Sequence, residues 1–286
     1  MKKMFTIVLA ALMVAALFAG CGSSTAETKA PETTAAPAAT AAAETATPAE
    51  TEAAAPAFTT IEAGKLIMST NAAFPPYEMV ADDGSFEGID VEIAGAIAKK
   101  LGLELVVDDM DFDAALLAVQ QGKSDIVMAG VTVNEDRKLV MNFSDTYSKG
   151  VQVVIVKEGS DVTLDNLGDK MIGAQRGTTG YIYTSDDYGD DHVTAYDNGT
   201  SAVQALMNGQ VDCVVFCVVI DSAPAKAFVE ANPGLTILDT EYTSEDYAIG
   251  MNKDNTALLE AVNGALKELT EDGTIPAIVE KYIPTK

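Results

Sequence analysis

The chain has 286 residues, 18 Lys and Arg against 43 Asp and Glu, a formal charge of −25, and 48% apolar residues. An acid excess of that size repels phosphate backbones and excludes nucleic-acid binding as a first reading. Three cysteines exclude a disulfide scaffold, and the length predicts two domains or one large one.

Lys2 and Lys3 precede an uncharged apolar run, Met4 to Phe18, that ends in Ala19-Gly20-Cys21. The run is too short to span a bilayer comfortably, and its small residues let a peptidase approach, so residues 1–20 read as a signal peptide. Leu17 to Cys21 resembles the bacterial lipoprotein box, which implies that Cys21 is acylated, with palmitate among the chains, and becomes the new N-terminus. A plain signal peptide cleaved near an incidental cysteine is the alternative. Removing residues 1–20 leaves 16 Lys and Arg against 43 acids, a charge of −27. Residues 21–57 carry Ala, Thr, Glu, Pro and Ser almost exclusively, with nothing large to bury, and are expected to form a disordered tether. A lipid followed by a solvated linker holds a folded domain beside a membrane without inserting it.

From Lys65 onward short β-rich runs alternate with helical periodicity. Leu66 to Thr70 is a predicted strand. Ile89, Ile93, Ile97 and Leu101 repeat every fourth residue and stop at Gly102. Leu103 to Val107 (strand), Phe112 to Gln121 (helix) and Asp125 to Met128 (strand) complete a first series. The second has strands Val151 to Val156, Lys170 to Ala174 and Val193 to Tyr196, helix Thr200 to Asn208, strand Val211 to Val219 and helix Ala223 to Ala231. Helices Asn255 to Leu269 and Ile275 to Tyr282 close the chain. Two βα series predict an α/β fold of two lobes, with a cleft suited to a small ligand. Phosphate loops, metalloprotease helices and nucleophile elbows are missing, so no catalytic residue is assigned.

There are two arginines, Arg137 and Arg176. Arg137 lies just past strand Asp125 to Met128, where a short helix starts near Asn134. Its planar fork suits a carboxylate, and Thr132 could add a donor to the same anion. Taken alone, pairing with a neighbour such as Glu135 is the better explanation.

Six segments in order settle the comparison: Thr70 to Glu78, Phe86 to Glu92, Thr132 to Arg137, Phe143 to Tyr147, Arg176 to Thr179 and Asp272 to Thr274. Over residues 65–283 the chain resembles the polar amino-acid-binding proteins of bacterial ABC importers, a periplasmic-binding-protein-like fold of two lobes joined by two crossing strands. The resemblance implies that Arg137 and Thr132 take the ligand α-carboxylate, that Phe74 packs on its side chain, and that Gly130 offers a carbonyl to the α-ammonium. It also implies a contribution from Thr179 at a helix N-terminus. Asn71 and Gln175 would face the side chain and suit a polar uncharged end better than a cationic one. The ammonium also needs a carboxylate, and here the sequence departs from the family. Five steps after Asp212 stands Cys217, where an aspartate is expected, and Cys-Val-Val occurs twice in Cys213 to Val219. Removing one copy brings Asp221 to the expected place, with Cys217 as the competing alignment. The four-residue insertion should lengthen the strand or force a bulge. Arg176 either balances rim acids or touches the ligand.

The expected molecule is therefore a lipid-anchored, extracytoplasmic receptor that delivers a free α-amino acid to ABC permease subunits. It is expected to be a monomer, to need no cofactor and to perform no chemistry. Lobe 1 should span residues 58–148 plus 248–286, and lobe 2 residues 149–247. Two rivals remain: a dehydratase-like enzyme on the same fold, and a ligand-sensing module, which would need a transmembrane helix after Lys286. Cys213 and Cys217 lie too far apart on one strand to bridge. His192, after the acidic run Ser185 to Asp191, reads as part of a solvated loop and not as a metal site.

Overall fold

The computed structural model describes residues 58–219, 225 and 229–284. The expected signal peptide, Cys21, the tether and Asp221 lie outside the described residues, as does most of the helix expected at 223–231.

The first lobe is built on a five-stranded sheet. Strands β1 (Lys65–Thr70), β2 (Ala73–Phe74), β3 (Glu78–Val80), β4 (Phe86–Glu87), β5 (Glu104–Asp109), β6 (Ile126–Val127) and β7 (Met141–Phe143) precede the second lobe in the chain. Helices α1 (Ile89–Lys100), α2 (Phe112–Gln120) and α3 (Glu135–Val140) alternate with them. Helix α1 buries Ile89, Ile93 and Ile97, one face at a spacing of four, and ends before Gly102, whose φ of +73° favours glycine. Strands β1, β5 and β6 are parallel, as βα crossovers require. Strands β2 to β4 make a small antiparallel sheet beside them.

The second lobe contains β8 (Ser148–Lys157), β9 (Ile172–Gln175), α4 (Thr179–Tyr188), β10 (Val193–Tyr196), α5 (Gly199–Met207), β11 (Cys213–Val219) and β12 (Leu235–Tyr247). Its sheet order is β10-β9-β11-β8-β12. The chain then returns through β13 (Gly250–Asn252) into the first sheet, ordered β5-β1-β6-β13-β7, and ends in α6 (Thr256–Glu271) and α7 (Thr274–Tyr282). Helix α6 packs Leu258, Val262, Leu266 and Leu269 against α1 and its sheet.

Two strands link the lobes. They are β8 and β12, paired antiparallel from Ser148↔Tyr247 to Lys157↔Leu235, with register shifts on either side of Glu241. Strand β11 runs along β8 in unbroken register from Cys213↔Val156 to Val219↔Gly150. Over its described length the repeated Cys-Val-Val thus lengthens the strand and makes no bulge. Among the described residues, no helix is long and apolar enough to cross a membrane.

Candidate functional site

Between the two sheets lies a cavity of about 470 Å³, its open mouth included, with walls drawn from both lobes. Asn71, Phe74, Gly130, Thr132 and Arg137 line it from the first lobe, and Gln175 and Thr179 from the second. Seven of the eight expected ligand-binding residues therefore share one cavity. The eighth, Asp221, lies outside the described residues. Its competitor Cys217 pairs in register with Gln152, whose amide donates to Thr179 Oγ1 at 3.1 Å.

Arg137 owes its position to a helix cap. Asn134 precedes α3 and its side chain accepts the Arg137 N–H, which fixes the arginine in the first turn with its side chain turned inward. The side chain is buried and lies over the Phe112 ring, 5.5 Å from its centroid. Nη1 donates to Thr132 O at 2.8 Å and Nη2 to Gly177 O at 3.0 Å, so one fork holds a carbonyl from each lobe. Glu135, its rival partner in the sequence, pairs with Lys138 instead.

Beside it the Thr132 hydroxyl donates to Glu245 Oε2 at 2.9 Å, and Gln152 Nε2 reaches the same oxygen at 3.2 Å. Thr179 opens α4, where the first-turn N–H groups and the helix dipole favour an anion. Gly130 has φ +56°, and a Cβ there would stand 2.9 Å from Phe74 Cε1, so glycine is needed for both conformation and space. Its N–H donates to Asp90 Oδ2 at 2.9 Å.

Aromatic rings close the cavity's other side. Phe74 stacks on Tyr77 with centroids 5.5 Å apart and meets Phe216 of the second lobe at 5.6 Å. Above them Gln175 Nε2 donates to Asn71 Oδ1 at 2.9 Å, a further hydrogen bond across the cleft. Arg176 stays half exposed at the rim, 3.7 Å from Asp197.

Glu78, also on the cavity wall, is 1% exposed. Neither of its carboxyl oxygens has a hydrogen-bond partner among the described residues, nor has Asp90 Oδ1 or the buried Tyr147 hydroxyl. Burial, and then the nearby Asp90, hold the Glu78 carboxyl well above the usual carboxylate range. Burial raises Asp90 to about 6, with the Gly130 N–H, Tyr147 and Glu78 pulling the other way.

Glu78, Phe112, Phe216 and Glu245 were not anticipated as parts of the site. Glu78 sits inside a segment quoted for the resemblance, but only the fold shows that its carboxyl is buried on the cavity wall. Cys213 is a buried free thiol pushed up to about 12 by burial. No cluster of potential metal ligands occurs among the described residues, and His192 stands in a short turn after α4 with Nδ1 3.4 Å from Lys170 O.

A cleft between two α/β lobes, crossed by two strands and lined by a buried arginine, defines the class of two-lobed solute receptors. Residues 66–285 match the family model of bacterial extracellular solute-binding proteins, family 3, and the chain belongs to that family. A probable histidine-binding protein of Neisseria gonorrhoeae is 34% identical over 81% of this chain and 87% of its own. An ancestral arginine-binding protein bound to arginine is 40% identical over 77% of this chain and 98% of that one, with a TM-score of 0.71. An ancestral arginine-binding protein bound to glutamine is 38% identical over 78% and 99%, with a TM-score of 0.72.

Proposed function

We propose that this chain is an amino-acid receptor of an ABC importer, held outside the membrane by a lipid on Cys21, and that its cargo carries a cationic side chain. It binds and releases cargo and performs no chemistry. Lobe 1 comprises residues 58–148 with 248–286, lobe 2 comprises 149–247, and the receptor acts as a monomer. The α-carboxylate is taken by Arg137 with Thr132 and the α4 N-terminus at Thr179; the α-ammonium is taken by the Gly130 carbonyl and Asp221. Phe74 and Phe112 flank the side chain, and Asn71 and Gln175 stand near its end.

Glu78 carries the choice of cargo. A buried carboxyl without a partner among the described residues, on the same wall as Arg137, supplies the negative site that a basic end requires. Asn71 alone favours an uncharged end, but an amide accepts from a cation as readily, whereas the buried pair of Glu78 and Asp90 can ionise fully only beside a countercharge. The histidine and arginine names among the relatives point the same way.

Thermal-shift screening against the twenty amino acids tests the reading, with arginine and its basic neighbours expected to give the largest rise in Tm. Arg137→Lys keeps the charge and loses the fork, and should weaken the best ligand by roughly 1.5–3 kcal/mol in calorimetry while the chain still folds. Unchanged affinity would remove Arg137 from the role of carboxylate anchor, and a response confined to acidic or apolar amino acids would overturn the cargo class.

A further inference from the structure

We infer that Glu78, on the cavity wall, and the buried Asp90 share one exchangeable proton and that this proton selects the cargo: a cationic end binds with the proton expelled, a neutral amide end with the proton kept. The inference rests on the proposed reading of the cleft as an amino-acid site.

The geometry comes first. Glu78 on β3 and Asp90 on α1 are brought together because Asp90 N–H donates to Tyr77 O, the residue before Glu78, at 2.9 Å. Both carboxyls are buried, three of their four oxygens have no hydrogen-bond partner among the described residues, and the fourth takes one N–H from Gly130. Two carboxylates so enclosed cannot both carry charge, so one proton stays with the pair.

Among the described residues, the groups that act on the pair include no base to take that proton away. Asp109 adds a further negative charge, and burial holds the Tyr147 phenol well above its ordinary value and therefore neutral. Glu87 on β4 pairs with Met79 and not with Glu78. Arg137 is the one cation on the cavity wall among the described residues, and its fork is turned to Thr132 O and Gly177 O. The countercharge that would let both acids ionise is therefore the cargo itself.

A guanidinium or ammonium end placed at Glu78 substitutes for the proton, which leaves to water, and the pair becomes doubly negative against the incoming positive charge. A carboxamide end brings no charge. Its oxygen accepts from the protonated carboxyl, its N–H groups donate to the other carboxylate, and the proton remains. The amino-acid head group is identical in the two cargoes, so its own ionisations cancel in the comparison.

Calorimetry of the full-length processed chain with arginine and with glutamine, between pH 5.5 and 8.5 and in buffers of different ionisation enthalpy, tests this. Near neutral pH arginine should release about one proton per molecule bound and glutamine none. The ratio of arginine to glutamine affinity should fall about tenfold per pH unit as pH drops below the value at which the unliganded pair gives up its proton. Glu78→Gln should abolish the proton release and flatten that ratio; the wild-type proton count stands by itself if the variant does not fold. Arginine binding without proton release, or a ratio independent of pH, overturns the inference while leaving the cationic reading in place. Glutamine failing to bind even at pH 5.5 overturns the selection. Arginine failing to bind at any pH overturns the cargo reading, and the inference falls with it.

Discussion

Arg137 and Glu78 illustrate how one buried charge is settled and another is left for something to answer. Arg137 gives N–H groups to two carbonyls and lies over a ring, whereas the Glu78 carboxyl is enclosed with Asp90 and receives no other hydrogen bond among the described residues. The stability of the unliganded protein should record this. Burial raises both acids, Asp90 to about 6 and Glu78 well above the ordinary range. The folded chain therefore keeps protons that the unfolded chain surrenders, and stability falls as pH rises from the ordinary carboxylate value through these raised ones. For Asp90 alone the difference amounts to about 3 kcal/mol at about 1.4 kcal/mol per pH unit. Tm measured without amino acid should be higher near pH 5 than near pH 7.5, and Glu78→Gln should shrink the difference. Equal slopes in wild type and variant would place the pH dependence in the surface acids instead.

Helix α5 shows how one element can reach into the site without supplying a residue to its wall. Its first residue is Gly199, where a Cβ would stand 2.1 Å from Phe216 Cε2, so the ring lies flat against the helix start and turns toward Phe74. Gly199→Ala must push that ring into the cavity or the helix away from β11. Both a lower Tm and weaker cargo binding are expected, and Gly199→Ala combined with Phe216→Leu should recover part of each. A single variant that binds normally would show that the ring has room to move. Elements such as α1, α5 and α6 were legible in the sequence because their apolar spacing is regular over two or more turns. Strand β12 was not: Leu235–Tyr247 reads Leu-Thr-Ile-Leu-Asp-Thr-Glu-Tyr-Thr-Ser-Glu-Asp-Tyr, with no steady alternation, and it is a strand because β8 lies beside it. Strands β2 to β4, two or three residues each, are too short for any period to show. The site was legible where motifs carried it, at Asn71, Phe74, Thr132 and Arg137. It was not where a lone residue is carried in by the fold, as Phe112 and Phe216 are. Glu245 arrives on the strand whose existence was itself hidden.

For the whole molecule, the proposed anchor and tether set where the receptor works. A processed chain bearing −27 repels an anionic lipid surface, so the proposed lipid on Cys21 would have to hold it there against that repulsion. Cys21→Ser should move the protein out of the membrane fraction or leave it unprocessed; a variant both processed and still membrane-bound would contradict the lipid assignment. The seam between the lobes has its own consequence. Gln175 to Asn71, Arg137 to Gly177, Thr132 to Glu245 and Phe74 to Phe216 cross it, each a contact worth only about 1 kcal/mol. Contacts that weak let thermal motion part the unliganded jaws from time to time. Cargo that touches both lobes, at free concentration L, makes such gaping rarer by RT ln(1 + L/Kd), so a saturating concentration holds them shut. A membrane partner that grips the parted form with similar strength can then pry the cargo loose with no input beyond its own contact with the two lobes.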